Sequence, residues 1–312
     1  MKSRMSTFSH YTGDNSMEYT PVQNLGLWNH NTLYLKREDL IPYSFGGNKA
    51  RKGFLFFKEI DKGNFDTVVT YGSSHSNHCR VIANMAAQRG MKCVIIGPDE
   101  VSGETFNSRM MKFFGAEIIT VPVKRVHETI ENKLQELRTE GMNPYFISGG
   151  GHGNIGTEAY VQCYEEIRKQ GAFDYIFFAS GTGTTHAGLV CGKVKHDGKE
   201  IIVGISIARR NPRGRNVVLE SIQEYMGDDE RIEEATVFID DYIGDGYGKG
   251  NDEIEQIINE VLLKYGIPLD STYTGKAFWG MKKYIEKENI VGKKILFIHT
   301  GGTPLFFDDI KG

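Results

Sequence analysis

Short apolar runs alternate with longer amphipathic stretches along nearly the whole chain. The runs are continuous and rich in β-branched and aromatic residues, which is typical of parallel strands covered on both faces. In the longer stretches apolar residues recur every three or four positions, as on one face of a helix. The clearest such stretches lie before Gly141 and between Glu253 and Tyr265. The predicted strands are Leu33–Lys36, Val68–Tyr71, Cys93–Ile96, Ile118–Val121, Tyr145–Ile147, Tyr175–Ala179, Ile201–Ile207 and Lys294–His299.

This alternation predicts an α/β fold. Strands joined through helices need right-handed crossover connections, which build parallel sheets. An eight-stranded barrel is one solution. The uneven spacing of the strands and the long polar lead before Leu33 favour two open, mostly parallel sheets with helices on both faces. Two segments stand outside the pattern: residues 209–215 form a predicted loop with four arginines, and residues 240–251 are rich in Gly, Asp and Tyr and are predicted not to be helical.

Composition narrows the class of protein and its partners. A length of 312 residues suggests two domains, at roughly 150 residues each. A formal net charge of -3 gives no electrostatic case for nucleic acid or an anionic membrane. No apolar run is long enough to span a bilayer, and Met1 to Thr20 lack the apolar core of a signal peptide, so we expect a cytoplasmic protein. The four cysteines fit no zinc motif, so we expect free thiols and no metal site.

Candidate chemistry follows the apolar runs, because ligands of open α/β sheets bind beyond the carboxyl ends of strands. After Tyr175–Ala179 the chain combines glycines, hydroxyls and a helix start, which suits a phosphate. A tight turn without a ligand is the alternative reading. The segment reads Ser180-Gly181-Thr182-Gly183-Thr184-Thr185.

Three further segments carry chemistry-bearing residues. The small polar run 72–78, after the second predicted strand, can hold a carboxylate or simply cap the next helix. Lys49 stands at a predicted helix start, whose positive end would lower its pKa and favour a Schiff base, although most lysines are only solvated. Thr300 follows the last strand, and Tyr273 precedes a helix as a candidate acid or base.

Seven short segments occur along the chain in the order that one enzyme family shows. Together they resemble the pyridoxal-phosphate enzymes of the tryptophan synthase β fold (fold type II), in the branch that holds D-cysteine desulfhydrase and 1-aminocyclopropane-1-carboxylate deaminase. The resemblance runs from about Thr20 to the end of the chain. The segments are Leu35-Lys36-Arg37-Glu38-Asp39-Leu40, Gly46-Gly47-Asn48-Lys49, Ser76-Asn77-His78, Gly181 to Thr185, Gly246-Tyr247-Gly248, Tyr273-Thr274-Gly275-Lys276 and His299-Thr300-Gly301-Gly302.

The resemblance implies pyridoxal 5′-phosphate as the cofactor. Lys49 matches the lysine that binds it as a Schiff base and moves protons. Asn77 matches the residue at the phenolic oxygen of the ring, and Thr300 the hydroxyl near the pyridine nitrogen. The implied phosphate loop comprises Gly181, Thr182, Gly183, Thr184 and Thr185.

The resemblance also implies a reaction on a small amino acid. The implied catalytic residues are Lys49, Ser76, Tyr247 and Tyr273, and the implied substrate-binding residues are Ser76, Asn77, His78, Tyr247 and Tyr273. The leading expectation is α,β-elimination of D-cysteine to pyruvate, sulfide and ammonia. Ring-opening deaminases typically carry Glu where this chain has Thr274, which disfavours ring opening. β-Replacement, or deamination or sulfo-lyase chemistry on another β-substituted amino acid, stays open; a ligand-binding protein without catalysis is a remote alternative.

Two structural expectations complete the comparison with the family. Residues 1–45 and 160–312 would form a larger cofactor domain, and residues 46–159 a smaller domain that closes on substrate. Homodimers are usual in the family. The arginines of residues 209–215 could recognise an anionic substrate side chain, or they could form a solvated loop that pairs with acids such as Glu220 and Glu224.

Overall fold

The computed structural model describes residues 19–310. The strands are β1 (Val22–Trp28), β2 (Asn31–Lys36), β3 (Thr67–Tyr71), β4 (Lys92–Pro98), β5 (Glu117–Val121), β6 (Pro144–Ile147), β7 (Tyr175–Ser180), β8 (Ile201–Ser206), β9 (Val237–Ile239) and β10 (Lys294–Ile298). The helices are α1 (Asn48–Ile60), α2 (Asn77–Gln88), α3 (Phe106–Phe113), α4 (Val126–Thr139), α5 (Asn154–Gln170), α6 (Thr184–Lys195), α7 (Arg213–Met226), α8 (Ile232–Ala235), α9 (Asp252–Tyr265), α10 (Thr274–Lys287) and α11 (Thr303–Asp309).

The strands form two open sheets, as predicted. A six-stranded sheet has the order β1-β2-β10-β7-β8-β9, and a four-stranded sheet has the order β5-β4-β3-β6. Every pairing is parallel except that of β1 with β2. Central strands such as β7 and β10 are buried along nearly their whole length, whereas the edge strand β5 is only partly covered. Continuous apolar runs therefore identify the central strands best.

The sequence pattern does not predict two of the strands, β1 and β9. The prediction that the first strand begins at Leu33 is wrong, because β1 precedes it as an antiparallel edge strand. β1 is mostly exposed, and its register shifts between Asn24 and Gly26, so it has neither a continuous apolar run nor clean alternation. β9 has only three residues. Short and exposed edge strands leave a weak apolar signal.

The predicted loop 209–215 is wrong in its second half, because α7 begins at Arg213. Pro212 stands at the N-cap with φ -79°, a value that its ring imposes and that suits entry into a helix. The segment 240–251 is not helical, as predicted. All four cysteines are buried free thiols.

The two sheets draw on different parts of the chain. The four-stranded sheet lies within residues 67–147, and the six-stranded sheet uses residues 22–36 and 175–298. Position 159 falls inside α5, which packs against both α1 and α6. A closing motion of residues 46–159 stays a prediction. Within residues 19–310 no helix is both long and apolar enough to cross a bilayer.

Candidate active site

A cavity of about 800 Å³ opens where strands of both sheets end. Its lining follows the carboxyl ends of β3, β6, β7, β8 and β10, which is the edge where ligands of open α/β sheets bind. The volume falls within the range of about 300–1,000 Å³ that is usual for small-molecule sites. All but one of the predicted site residues line it: Lys49, Ser76, Asn77, His78, Gly181, Thr182, Gly183, Thr185, Tyr247, Tyr273 and Thr300.

Lys49 reaches this cavity from the first turn of α1. Its Nζ donates a hydrogen bond to the Gly150 carbonyl oxygen at 2.9 Å. Burial lowers the pKa of Lys49 to about 8. The sequence predicts this direction from the helix start, but the principal cause is desolvation. The neutral amine, the form that attacks a carbonyl, therefore makes up about a tenth of Lys49 at pH 7, far more than in an ordinary lysine.

The amino terminus of α6 faces the cavity without a side-chain cap. Its N-cap residue, Gly183, has φ +104°, a left-handed value that favours glycine. A β-carbon at this position would also come within 3.2 Å of Val217. The first backbone N–H groups of a helix have no partner inside the helix and attract an anion. This helix start can therefore receive a phosphate.

The threonines of this loop face different surroundings. Thr182 and Thr185 line the cavity, and Thr185 Oγ1 accepts a hydrogen bond from Asn48 Nδ2 at 3.1 Å. Thr184 is fully buried, and its hydroxyl accepts a hydrogen bond from Lys52 Nζ at 2.6 Å. Only the backbone of Thr184 is left for a ligand. Lys52 is itself fully buried, and burial holds its pKa well below the usual range.

The start of α2 forms a second wall. Ser76 is its N-cap, and Ser76 Oγ accepts the Cys79 N–H at 3.1 Å, which confirms the capping interpretation. An accepting hydroxyl keeps its own hydrogen, so Ser76 can still donate to a ligand. Asn77 Oδ1 accepts a hydrogen bond from Asn107 Nδ2 at 2.9 Å. Among the described residues Asn77 Nδ2 has no partner, and it belongs to the cavity wall.

His78 is held as a neutral ring in the same wall. The Thr70 hydroxyl donates to the Ile147 carbonyl oxygen at 2.7 Å, so its oxygen accepts from His78 Nε2 at 2.9 Å. The proton is thereby assigned to Nε2, and the buried Nδ1 has no partner among residues 19–310. Burial and the nearby lysines Lys49 and Lys52 hold the pKa of His78 well below its usual range.

Two tyrosines meet on the opposite side. The hydroxyls of Tyr247 and Tyr273 are 2.6 Å apart, and Ser73 Oγ lies 3.4 Å from the Tyr247 hydroxyl. Burial raises the pKa of both tyrosines, so both are protonated donors at neutral pH. The buried carboxylate of Asp270 accepts the Tyr273 backbone N–H at 2.7 Å and the Thr274 hydroxyl at 2.7 Å. Asp270 thus fixes the start of α10.

The turn after β10 closes against the start of α1. The Asn48 N–H donates to the Thr300 carbonyl oxygen at 2.9 Å. Gly47 has φ +92°, and a β-carbon there would come within 2.6 Å of the same oxygen. A larger residue at position 47 would therefore separate Lys49 from Thr300.

A buried ion network supports α1 from behind. Arg51 bonds to both Glu38 and Glu166, and Lys36 also pairs with Glu166. All four side chains are buried. The Leu35–Leu40 segment therefore acts through packing and charge behind Lys49 rather than through contact with a ligand.

One arginine of the basic segment reaches the cavity. Arg209 lines it and donates to the Thr182 carbonyl oxygen at 3.3 Å. Arg209 is half-buried and forms no salt bridge with any described residue, and desolvation lowers its pKa. Arg210 and Arg213 are exposed and lie outside the lining.

The fourth arginine of that segment serves structure. Arg215 pairs with Glu233 at 2.6 Å rather than with Glu220 or Glu224. It also donates to the Glu233 carbonyl oxygen, which ties α7 to α8. Of the four arginines in this segment, only Arg209 lines the cavity.

Sequence reasoning misses three residues that support the site from outside the cavity lining, namely Lys52, Asp270 and Asn107. Lys52 could have been found, because it follows Lys49 by three positions and so lies on the same helical face. Asp270 and Asn107 carry no local signal. Each acts through a fold-dependent contact, and Asn107 is 30 positions from its partner Asn77.

The donor set fits pyridoxal phosphate. A phosphorylated aldehyde needs a neutral amine, an anion site and polar contacts for its ring. Lys49 provides the amine, the uncapped start of α6 the anion site, and Asn77 and Thr300 the polar groups. The glycine at position 183 leaves the space that a side chain would fill.

Comparison with known proteins gives the same class. Residues 15–301 match the profile of the pyridoxal-phosphate dependent enzyme family. A provisionally named 1-aminocyclopropane-1-carboxylate deaminase of Pyrococcus abyssi is 34% identical, covering 88% of this chain and 86% of that protein. A D-cysteine desulfhydrase of Yersinia enterocolitica is 33% identical, with 88% of each chain covered. The crystal structure of an ACC deaminase homologue superposes with a TM-score of 0.80 at 33% identity, covering 94% of this chain and 93% of the other. These matches confirm the resemblance and the cofactor.

Proposed function

Because this chain belongs to the family of pyridoxal-phosphate-dependent enzymes, we propose that it eliminates the β-substituent of a small amino acid, with D-cysteine as the leading substrate. One water is consumed, and the products are pyruvate, sulfide and ammonia. The observation that carries the proposal is that Lys49, with a pKa of about 8, shares a cavity with the uncapped start of α6. The relatives named D-cysteine desulfhydrase support the choice of substrate.

In this proposal different residues of the cavity wall hold different groups of the cofactor. Lys49 would bind the aldehyde, the backbone of 181–185 the phosphate, Asn77 the ring hydroxyl and Thr300 the pyridine nitrogen. The bound cofactor supplies an electron sink for the charge that remains when Cα loses its proton. A hydroxyl at position 300, unlike a carboxylate, need not keep that nitrogen protonated.

The chain's own residues handle the substrate and its protons. Lys49 Nζ, whose pKa burial lowers to about 8, would take the Cα proton in its neutral form. Ser76 donates its free hydroxyl hydrogen to the substrate carboxylate, together with backbone N–H groups at the start of α2. Tyr247 and Tyr273 stay protonated because burial raises the pKa of each, so the pair can protonate the departing sulfur.

Thr274 supports elimination over ring opening. Its side chain is fully buried, and its hydroxyl both donates to Asp270 Oδ2 and accepts the Asp270 N–H. Thr274 also lies outside the cavity lining. A residue with both hydrogen-bonding roles occupied inside the protein offers no acid or base to a cyclopropane ring.

An assay of pyruvate and ammonia tests the proposal. The panel contains the D- and L-forms of cysteine and serine, with 2-oxobutanoate from 1-aminocyclopropane-1-carboxylate measured in parallel. We expect D-cysteine to be the best substrate and Lys49→Ala to abolish turnover of every compound. Turnover of the cyclopropane compound at a rate that rivals any amino acid would overturn the choice of elimination.

A second candidate substrate carries an anionic β-substituent, and Arg209 favours it. A half-buried guanidinium with no carboxylate partner gains most from an anion in the cavity. Elimination of cysteate would yield pyruvate, sulfite and ammonia. Arg209→Gln should then lower kcat/KM for cysteate relative to cysteine by about 10- to 150-fold, the cost of one charge-assisted hydrogen bond.

The exposed Arg210 provides the matched control for that test. Arg210→Gln should leave the ratio of the two kcat/KM values unchanged. Equal losses on both substrates with Arg209→Gln would reject the anionic substrate. Loss of cofactor from the same variant would assign Arg209 to the phosphate instead.

A further inference from the structure

We propose that Asn107 and Arg80 are positioning residues that lock the side-chain amide of Asn77 with its Nδ2 facing the cavity. The inference rests on the proposed function, which places the cofactor's ring oxygen at Asn77. It adds that this wall of the site accepts only a hydrogen-bond acceptor, and that two residues outside the cavity enforce the choice.

The orientation follows from the hydrogen-bonding capacity of each neighbour. Asn107 Nδ2 lies 3.0 Å from the His75 carbonyl oxygen, which can only accept, so this atom of Asn107 must be the nitrogen. The same nitrogen lies 2.9 Å from Asn77, so the Asn77 atom must be the oxygen. Arg80 Nη2, which can only donate, lies 3.4 Å from that same oxygen. Both amides are therefore oriented without ambiguity.

This arrangement is accompanied by two buried polar atoms whose hydrogen-bonding capacity is unused within residues 19–310. Asn107 Oδ1 and Arg80 Nε are buried without a hydrogen-bond partner among the described residues. A flip of the Asn107 amide would point its oxygen at two other oxygens, those of His75 and Asn77. Repulsion there prevents the flip, and the unpaired Oδ1 is the consequence.

Arg80 adds a positive charge to the same wall. Its side chain is fully buried on α2, and it forms no salt bridge within residues 19–310. Its other polar contact is a hydrogen bond from Nη1 to Ser44 Oγ at 3.0 Å. An uncompensated buried cation beside an outward-facing N–H donor creates a positive potential. An anionic oxygen, such as the deprotonated ring hydroxyl, is the ligand group that this wall stabilises.

The test compares two cofactors on the full chain freed of cofactor. We measure the dissociation constants of pyridoxal phosphate and of its analogue without the ring hydroxyl. The wild-type chain should prefer pyridoxal phosphate by about 10- to 150-fold, the value of one charge-assisted hydrogen bond. Asn107→Leu removes one of the two donors to Asn77 Oδ1 and leaves the other, Arg80 Nη2, so it should reduce that preference only part of the way. Asn107→Asp keeps the size of the side chain but can only accept, so it should turn the Asn77 Nδ2 away from the cavity and reduce the preference to within about threefold of unity.

Two further variants make every outcome decisive. Ser108→Ala removes the capping box of the same helix without touching Asn77, so it should keep the preference while it destabilises α3. Asn77→Ala should abolish the preference. If Asn77→Ala abolishes it while both Asn107 variants retain it, or if Ser108→Ala abolishes it equally, the positioning role is overturned and the site stands. If Asn77→Ala leaves it intact, the placement of the ring at Asn77 fails, and this inference fails with it.

Discussion

The amino termini of α2 and α6 line the same cavity but are capped differently. Ser76 caps α2 by accepting the Cys79 N–H at 3.1 Å. At α6 the N-cap is Gly183, and no side chain within residues 19–310 caps the first N–H groups. The same pattern in the sequence, a strand followed by small residues and then a helix, thus produces one start that the protein caps itself and one that it leaves to a ligand.

This difference assigns the two helix starts to different ligand groups, the cofactor phosphate at α6 and the substrate carboxylate at α2. An uncapped start attracts a dianion because several N–H groups and the helix dipole act together. A capped start retains fewer free donors and suits a single carboxylate held by the serine hydroxyl. The α6 start should therefore control cofactor affinity, and the α2 start should control substrate affinity.

The largest effect is expected at Gly183. Gly183→Val forces a β-branched residue to φ +104° and places its β-carbon about 3.2 Å from Val217. The loop must therefore shift, and its N–H groups would no longer point at the proposed phosphate site. Loss of one to two charge-assisted hydrogen bonds should weaken pyridoxal-phosphate binding by about 10- to 10⁴-fold, measured by equilibrium dialysis.

Gly181 is the matched control for this substitution. Its φ is not left-handed, and a β-carbon would meet only Ile207 at 3.8 Å, an ordinary contact. Gly181→Ala should change cofactor affinity by less than about threefold. Equal losses from both variants would mean that the α6 start has no special role.

The next effect is the pH dependence of cofactor capture at a third helix start, that of α1. In the proposed reaction only the neutral form of the Lys49 amine can attack the cofactor aldehyde. With a pKa of about 8, the rate should rise about tenfold per pH unit below pH 8 and level off above it, whereas an ordinary lysine would continue to rise to about pH 10.4. Stopped-flow absorbance measures this rate. A rate that still climbs steeply through pH 9 to 10 would contradict the buried amine.

The same pKa shift predicts how the stability of the folded protein depends on pH. Between about pH 8 and pH 10.4 the unfolded chain holds the Lys49 proton and the folded chain has released it. The stability of the cofactor-free protein should therefore gain a contribution from this group as pH rises through that window.

The smallest effect on cofactor affinity is expected at Ser76. Ser76→Ala removes the α2 cap and should lower the free energy of unfolding by about 1 kcal/mol, seen in chemical denaturation. KM for the amino acid should rise, and cofactor affinity should stay the same. Thr105→Ala, which removes the cap of α3, should cost similar stability and leave KM unchanged. A fall in cofactor affinity with Ser76→Ala would erase the distinction between the two helix starts.

The sequence predicts local features of the site better than its supports. Lys49, Ser76 and Gly183 each follow a glycine-rich or polar turn at a strand or helix end, so a pattern of neighbours reveals them. Asn107 orients Asn77 from another helix, and Asp270 fixes Tyr273 from a turn, and only the fold brings these groups together. The edge strand β1 escapes for a related reason, because its exposed face leaves no continuous apolar run.

The central claim is that Lys49 carries the cofactor, and borohydride reduction with peptide mapping tests it most directly. Reduction fixes the cofactor to whichever lysine holds it. Lys52 lies one helical turn further along α1 and is also buried, so the two sites are close rivals that mapping distinguishes. We expect the pyridoxyl group on Lys49 alone. A label on Lys52, on Lys276 or on any other lysine would contradict the account.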